Sequence, residues 1–517
     1  MPLSVGSAQP YPPQQQPAYG AQPPYGQQPG WQLQGPEGFG PPVVAEKKRK
    51  GWIVAVIAAL AVVLLGGGTV YAVSAFSGGG TQPHEVLPSN AIGYLRVDLD
   101  PDAGQKAALF QLSRKFTFSK GKVTEEDPRK SLFDATQADR DNKIDFAKDV
   151  EPWLGSRIGA AAVPSGGETP GFAVAVQVKD EALAKAGIAK LMGDEKYGLA
   201  FREGYAILSD TQANADKYAT GPTMSENAEF TGDIDSLAGD GVLSFWGHLG
   251  QLAKLSAAEL GPEEQAQLDK VKNARFVGTL RFDSAFAELT GSVRGAEKMV
   301  DGDLAKADLA TLPGSTVGAM SISGLDQVVT KQWAEFEKTM ASMPEVKQFM
   351  DQAKQNMGLT LPDDLVTLVG KNLTLAVDEE GLDGDMPKGG VRIQTDAAKA
   401  QAVLDKITKA FQDSGQPVPE FGKVAGDGVF TVGTTEDYAK KLSQQGNLGD
   451  SETFKTAIPN AGDANYALFV DLDKVEKFYL GSVEGDDKAN LEVLRAVGLS
   501  GTQSADSASF SLRVLFN

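Results

Sequence analysis

The sequence predicts an α+β protein with a disordered N-terminal tail, one transmembrane helix and two tandem repeats of mostly antiparallel sheet with packed helices. Three observations support this fold class. Residues 52–76 carry no charged side chain, later segments have the composition and length of strands, and several of these segments occur twice in the same order. Short strands joined by turns and interspersed with helices are typical of the α+β class.

The predicted tail covers residues 1–46, which are rich in Pro, Gln and Gly. Such a segment has too few aliphatic side chains to offset the entropy of ordering, so we expect disorder with polyproline-II character. Its scattered aromatic residues, among them Tyr11 and Trp31, leave two alternatives. They bind a cytoplasmic partner, or the tail is solvated and has no specific partner.

The predicted membrane anchor is a basic cluster at 47–50 followed by a helix at 51–76. At 1.5 Å of rise per residue the apolar stretch would measure about 37 Å, more than the roughly 30 Å hydrocarbon core of a bilayer. Basic residues stay in the cytoplasm, which predicts a single-pass cell-membrane protein with a cytoplasmic N-terminus and an extracytoplasmic C-terminal domain. A cleaved signal peptide is disfavoured because its apolar core is typically only about 7 to 15 residues long. The linker 77–82 would keep the domain close to the membrane.

Two ectodomain repeats are predicted, at 83–305 and 306–517, because short motifs recur in a conserved order. The recurring pairs are Leu87-Pro88 and Leu312-Pro313, Trp153-Leu154-Gly155 and Leu368-Val369-Gly370, Val178-Lys179-Asp180 and Gln394-Thr395-Asp396, and Phe230 and Phe454.

Local patterns place strands and helices inside each repeat. Asp180 to Met192 and Asp396 to Phe411 begin with a candidate N-cap and show helical spacing of apolar residues. The last segment, Ser509 to Phe516, alternates through Phe510, Leu512, Val514 and Phe516, which predicts a strand with that face buried. The other predicted strands are Gly171–Val178, Lys371–Val377, Gly241–Trp246 and Ala464–Val470.

Composition narrows the expected partners. The chain has 49 Lys and Arg against 68 Asp and Glu, a formal net charge of −19, and no cysteine. An acidic surface repels phosphate backbones, so nucleic acid is not an expected partner. An exported domain without cysteine does not rely on disulfides, which favours a Gram-positive-type envelope and a core that is sufficient by itself.

The residue types that catalysis uses form no recognisable constellation. The only histidines are His84 and His248, and the sequence has neither a Gly-x-Ser-x-Gly motif nor a phosphate-binding Gly-rich loop. The carboxylate pairs in Val97–Asp100 and Val470–Asp473 follow strands and precede helix-like runs, which favours helix capping over a cation site. We therefore predict no enzyme, no metal and no cofactor.

One helix candidate, Gln327 to Met357, carries methionine and aromatic residues on or near one stripe. Methionine adapts to varied apolar shapes, so the stripe either lines a site for a lipid or other apolar ligand or is ordinary core. The candidate ligand-lining residues are Trp333, Phe336, Met340, Met343 and Met350.

The segment Leu87 to Pro101 (LPSNAIGYLRVDLDP), with Gln105–Leu109 and Arg114-Lys115-Phe116 after it, resembles the opening of the domain of unknown function 3352 family. The resemblance implies an actinobacterial single-pass membrane protein with a Pro/Gln/Gly-rich tail and a cell-envelope location. It implies no catalytic residues, because the family is uncharacterised.

The sequence thus predicts a non-enzymatic binding or scaffold module whose duplicated domain binds an envelope protein or polymer. The alternative is a carrier or sensor of a lipid or other apolar ligand bound between the repeats. A large apolar cavity would favour the carrier.

Overall fold

The computed structural model describes residues 80–117, 129–130, 133, 144–165, 170–237, 239–254, 268, 270–297, 300–341, 348, 351, 354–355, 357–382, 387–415 and 420–517. These residues belong to one compact unit, Ile53–Asn517. The predicted tail, basic cluster and helix at 51–76 lie outside the described residues.

In the described part of the chain, sixteen strands form one antiparallel sheet, and β-branched and aromatic residues are frequent in them. The strands are β1 Gly93–Asp98, β2 Leu154–Val163, β3 Gly171–Val178, β4 Gly198–Arg202, β5 Tyr205–Ser209, β6 Leu243–His248, β7 Arg275–Phe282, β8 Phe286–Arg294, β9 Thr316–Ser323, β10 Asn372–Asp378, β11 Gly389–Gln394, β12 Gly422–Ala425, β13 Val429–Gly433, β14 Tyr466–Asp471, β15 Leu494–Gln503 and β16 Ser507–Phe516.

The strand order shows how the sheet is assembled. It reads β12-β13-β11-β10-β9-β14-β15-β16-β8-β7-β6-β1-β2-β3-β5-β4. Strands β9–β16 therefore follow the same order as β1–β8, and the two sets meet where β8 pairs with β16. We call residues 80–297 the N-terminal half and residues 300–517 the C-terminal half.

Helices connect the strands and pack on the sheet. The α-helices are α1 Ala103–Ser113, α2 Glu181–Met192, α3 Gln212–Thr220, α4 Ala228–Ile234, α5 Leu249–Lys254, α6 Leu325–Ala341, α7 Asp363–Val369, α8 Ala397–Asp413, α9 Glu436–Ser443, α10 Glu452–Ala457, α11 Leu472–Leu480 and α12 Gly485–Leu491. Single helical turns are Pro83–Glu85, Phe146–Val150, Met224–Glu226, Leu309–Thr311 and Leu448–Asp450.

Helix starts agree with the predicted caps in two places and differ in a third. Asp180 and Asp396 cap α2 and α8, as predicted, by accepting hydrogen bonds from the backbone N–H groups of the first turn. The cap of α1 is Asp102, whose Oδ1 lies 3.0 Å from the Gln105 nitrogen. Asp98, which the sequence assigned to capping, is instead a buried residue at the end of β1.

The two faces of the sheet differ. On one face, which we call the core face, Tyr94, Tyr205 and Trp246 belong to the cluster of the N-terminal half. Tyr438 and Phe469 belong to the corresponding cluster of the C-terminal half. The opposite face, which we call the outer face, is only partly covered by helices.

The predicted α+β class is confirmed, but the structure gives no support for the transmembrane helix predicted with it, whose residues 51–76 are outside the described ranges. Among the residues with described structure, no helix is both long enough and apolar enough to cross a membrane. The two longest of the helices given above, α6 and α8, have 17 residues each. Charged residues interrupt both sequences, as expected of helices that pack one face on a sheet.

The last strand, β16, is confirmed, but the face predicted to be buried is not. Leu515, on the core face, is 1 % exposed, whereas Phe510 and Leu512 on the outer face are only half-buried. The reason is a carboxylate in the neighbouring strand: buried Glu288 accepts hydrogen bonds from Ser511 and Arg513, which hold this face inward.

Candidate functional site

An apolar groove lies on the outer face of the C-terminal half, across the adjacent strands β14, β9, β10, β11 and β13. Cross-strand partners define two rows of residues that form its floor. The first row is Leu468, Met320, Leu375, Val391 and Val432. The second row is Val470, Gly318, Val377, Gly389 and Thr434.

The groove has the size of a ligand site. Its volume is about 620 Å³, within the roughly 300 to 1,000 Å³ that such sites occupy. Five strands separated by about 4.8 Å give it a length of about 19 Å. Leu375 and Val377 are each 38 % exposed, so large aliphatic side chains of the floor face solvent.

Two glycines, Gly318 and Gly389, leave space above part of the groove floor because they have no side chain. A Cβ atom added at Gly318 would meet no atom nearer than the Phe469 carbonyl oxygen at 4.0 Å. At Gly389 the Ala376 carbonyl oxygen would be 3.3 Å away. A side chain at Gly318 therefore fits and would occupy the groove itself, whereas one at Gly389 would crowd the sheet.

One long edge of the groove is closed by helix α8. Ala397 and Ala400 of this helix form a buried cluster with Ile393 and Phe430, which belong to the next row of the outer face. Leu404 packs against the same cluster. This edge is apolar. Phe421, which is 46 % exposed, lines the groove where the chain enters β12.

The other long edge, which we call the rim, is charged. Asp378, Glu379 and Glu380 follow Val377 directly, and each forms an ion pair with a lysine from a different part of the chain. The pairs are Asp378–Lys441 at 3.0 Å, Glu379–Lys474 at 2.8 Å and Glu380–Lys388 at 2.6 Å.

Asp471 also lies at the rim, directly after Val470. It stands at the start of α11, but its side chain does not cap the helix. It is 8 % exposed, and this burial raises the pKa of its carboxyl group. Asp471 therefore occupies the predicted N-cap position of α11, and it is a buried acid at the end of β14.

Of the residues predicted to line a ligand site, the two with described side chains do not line the groove. Trp333 and Phe336 are on α6 with ring centroids 5.7 Å apart, and neither is among the groove residues. Met340 lies in α6, and its side chain is outside the described part of the structure. Met343 and Met350 also lie outside the described residues.

Buried charge in the N-terminal half has a structural role. The side chains of Arg96, Asp98 and Arg157 are almost fully buried. Asp98 Oδ2 lies 2.7 Å from an Arg96 nitrogen and 3.3 Å from Arg157 Nε. Arg96 Nε also donates to the Gln82 side chain at 3.0 Å. The cluster therefore fastens the segment before β1 to the sheet.

The two histidines are engaged in packing and local hydrogen bonds. His84 packs against Tyr94 and Phe230, and burial lowers its pKa. His248 Nδ1 accepts a hydrogen bond from the Gln251 nitrogen at 3.4 Å. Within the described ranges, no group of three or more His, Cys, Asp or Glu residues is arranged to hold a metal ion.

Sequence reasoning identified β10 as a strand but missed the groove. A signal was present: Leu373, Leu375 and Val377 alternate with Thr374 and Ala376. Alternation of this kind is normally taken to mean that the large apolar residues are buried. Here Thr374 and Ala376 are buried, while Leu375 and Val377 are exposed.

Comparison with solved structures gives only remote similarity. The chain is similar to "Structure of crystal form III of TP0453" at 10 % identity, covering 41 % of this chain and 80 % of that one, with a TM-score of 0.21. It is similar to "Structure of crystal form I of TP0453" at 8 % identity, covering 42 % and 80 %, with a TM-score of 0.22. No curated protein matches the chain.

A family model gives a clearer result. Residues 54–227 match the family described as protein of unknown function (DUF3352). This range includes the segment from Leu87 to Pro101 on which the sequence resemblance was based. The membrane location and actinobacterial origin implied by that resemblance stay predictions. The match supports the relationship of this part of the chain to the DUF3352 family of unknown function.

Proposed function

We propose that the protein is a non-enzymatic binding module whose C-terminal half holds an apolar ligand in the groove. The observation that carries the proposal is an elongated apolar cavity with exposed Leu375 and Val377 on its floor. Covering apolar surface is favourable by about 25 cal/mol per Å², so a hydrocarbon ligand gains free energy by lying there.

The chemistry of the lining supports binding rather than catalysis. Thr434 is the one residue with a polar side chain among the residues that line the groove. General acid–base catalysis needs a titratable group within hydrogen-bond reach of the reacting atom. The groove offers shape and apolar surface, which suit a ligand that is held without reaction.

The proposed site differs in position from the predicted one, which was between the repeats. Where β8 meets β16, Glu288 on the core face pairs with Arg281 and Arg513. Burial alone would raise the pKa of Glu288, but hydrogen bonds from Arg281 and Ser511 and the charge of Arg513 lower it. This junction is an ionic contact, and the groove lies in the strands of one half.

Binding of palmitate to the full chain, measured by native mass spectrometry and equilibrium titration, tests the proposal. Leu375→Asp and Val377→Asp place a charge on the floor, and we expect each to weaken binding at least tenfold. Because each side chain is 38 % exposed and Asp is unfavourable in a strand, stability should fall by about 1 kcal/mol, and it is measured alongside binding. Leu183→Asp is the matched control, since Leu183 is 50 % exposed on α2 and does not line the groove.

A second variant fills the groove without adding charge. Gly318→Leu should leave the fold intact and reduce palmitate binding, because its side chain would occupy the ligand volume. If palmitate binds the parent, the Val377→Asp variant and the Gly318→Leu variant equally, the groove is not the site and the proposal fails. A scaffold that binds only protein partners would give no palmitate binding at all.

A further inference from the structure

We infer that the ligand of the groove is a single-chain amphiphile with an anionic headgroup, held with its chain on the groove floor and its headgroup at Lys388 and Lys474. This inference rests on the proposed function and adds the charge and orientation of the ligand. It is carried by the arrangement of charges along the rim.

The rim holds three lysines beside an apolar floor, each paired with a carboxylate of the segment Asp378–Glu380. Lys388 immediately precedes Gly389 of the floor. Lys474 comes from α11, four residues after Val470 of the floor. Their partners Glu380 and Glu379 are adjacent in the chain, so both lysines are held at the same stretch of rim.

In both ion pairs the lysine side chain is less exposed than its glutamate partner. The side chains of Lys388 and Lys474 are 31 % and 33 % exposed, whereas those of Glu380 and Glu379 are 64 % and 54 % exposed. Ion pairs with such exposed partners contribute little to stability. The carboxylate or phosphate of a ligand can therefore replace either glutamate at small cost and interact with a partly desolvated ammonium group.

The third rim pair is different and is not assigned to the ligand. Asp378 is fully buried and accepts hydrogen bonds from both Ser315 and Lys441. Removing a buried carboxylate from such partners is costly, so this pair fixes the end of β10. It gives the rim a rigid base from which Glu379 and Glu380 extend.

The opposite edge determines the orientation. There, α8 packs on Ile393 and Phe430, and the edge is apolar. A charged headgroup at this edge would lose its hydration without gaining a polar partner, which is strongly unfavourable. The headgroup is therefore placed at the rim, and the chain lies on the aliphatic floor.

The test compares three probes with the same hydrocarbon chain: palmitate, hexadecanol and hexadecyltrimethylammonium. Each is titrated against the full chain at low and high salt. We expect palmitate to bind about tenfold more tightly than hexadecanol, and the difference to shrink with salt, because a charge-assisted contact is screened. The cationic probe should bind no more tightly than hexadecanol.

Substitutions of the rim lysines and glutamates test where the headgroup binds. Lys388→Gln combined with Lys474→Gln should weaken palmitate binding about tenfold and leave hexadecanol binding unchanged. Lys409→Gln combined with Lys455→Gln is the control, since these lysines pair with Asp413 and Glu452 and belong to α8 and α10 rather than to the rim. Glu379→Gln combined with Glu380→Gln removes the competing carboxylates and should strengthen palmitate binding.

Two failures are distinguishable. If hexadecanol binds as tightly as palmitate and the rim variants change neither, the headgroup assignment is overturned while the groove remains the site. If no probe binds, or if binding is indifferent to Leu375→Asp and Gly318→Leu, the proposed function itself is overturned.

Discussion

The two halves of the sheet share a strand order but differ in what they bury. In the N-terminal half Arg96, on β1, lies between Gly159 and Ser244 of the neighbouring strands. In the C-terminal half the equivalent residue is Ser321, between Thr374 and Ala467. The charged cluster around Asp98 is thus replaced by a neutral network, in which Asn372 donates to Ser321 and Ser323 at 2.8 Å each.

The same substitution of charge by neutral groups occurs a second time. In the N-terminal half, buried Asp233 accepts hydrogen bonds from Trp246 at 2.9 Å and from Arg275 at 2.7 Å. The equivalent positions in the C-terminal half are Ala457, Phe469 and Ala496, all fully buried. One topology therefore accommodates either an ionic or an apolar core.

The outer faces of the two halves also differ, in the size and exposure of their apolar side chains. Ala160 pairs with Leu95 and Val174 as Leu375 pairs with Met320 and Val391. Ala160 is 7 % exposed and Leu375 is 38 % exposed. The N-terminal half thus has the small residues Ala160 and Ala162 where the C-terminal half exposes the larger Leu375 and Val377. We interpret the N-terminal half as an ionically fastened unit and the C-terminal half as the one with a larger exposed apolar surface.

The two halves should differ most in the stability that they lose when a buried polar side chain is removed, Asp98 in one half and Ser323 in the other. Asp98→Ala removes the nearest carboxylate from the buried Arg96 and Arg157, and we expect a loss of about 3 to 5 kcal/mol of unfolding free energy. Ser323→Ala, at the equivalent position, should cost about 1 kcal/mol, since it removes a neutral hydrogen bond. Urea denaturation measures both. Similar losses would show that the two clusters are energetically alike.

Replacing the buried ion pair of the N-terminal half by the alanines of the C-terminal half tests whether the pair contributes to stability as a unit. Asp233→Ala alone leaves Arg275 and Arg294 beside an apolar space and should be strongly destabilising. In the double variant Asp233→Ala/Arg275→Ala, we expect the loss to be smaller than the sum of the single losses by about 1 to 3 kcal/mol. A double-mutant cycle by denaturation gives this coupling. Additive losses would mean that the pair acts as two independent contacts.

Glycines on the two faces should respond differently to a methyl group. At Gly159 an added Cβ would lie 2.3 Å from the Pro83 Cβ, so Gly159→Ala should cost about 1 to 3 kcal/mol. At Gly318 the space is open, and Gly318→Ala should stay within about 0.5 kcal/mol. Thermal denaturation compares the two. An equal cost at Gly318 would indicate that the groove floor is closed in solution.

The smallest expected effect is a pH dependence confined to the N-terminal half. Burial lowers the pKa of His84, so below the ordinary value of about 6.5 the unfolded chain binds the proton more readily than the folded one. Stability should therefore fall as the pH falls through this range. The equivalent residue in the C-terminal half is Leu309, which is 1 % exposed.

The variant His84→Leu copies Leu309 and should remove this contribution. We expect the parent to lose more stability than the variant between pH 8 and pH 5, by less than about 1.4 kcal/mol per pH unit. Denaturation curves at several pH values measure the difference. A parallel decline of the two proteins would assign the acid sensitivity to other groups.

Sequence patterns predicted strand bounds and helix caps correctly where these depend only on residues close in sequence. The strand Gly171–Val178 has the bounds that its composition predicted, and Asp180 and Asp396 cap helices because capping involves only the next turn. The α+β class followed from the same local signals. These features need no knowledge of distant parts of the chain.

Features set by distant residues were not predicted. Whether Leu375 or Thr374 is buried depends on which face of β10 is covered, and that is decided by other elements packed on the sheet. In β16 the inward side chain of Arg513 is fixed by Glu288, 225 positions earlier in the chain.

Photo-crosslinking with a diazirine analogue of palmitate, followed by peptide mass spectrometry, tests most directly whether the apolar groove of the C-terminal half is the binding site. We expect labels on Met320, Leu375 and Val377 that disappear with excess palmitate. Competable labels on Leu95 and Val174 of the N-terminal half, with none on the groove residues, would contradict this expectation.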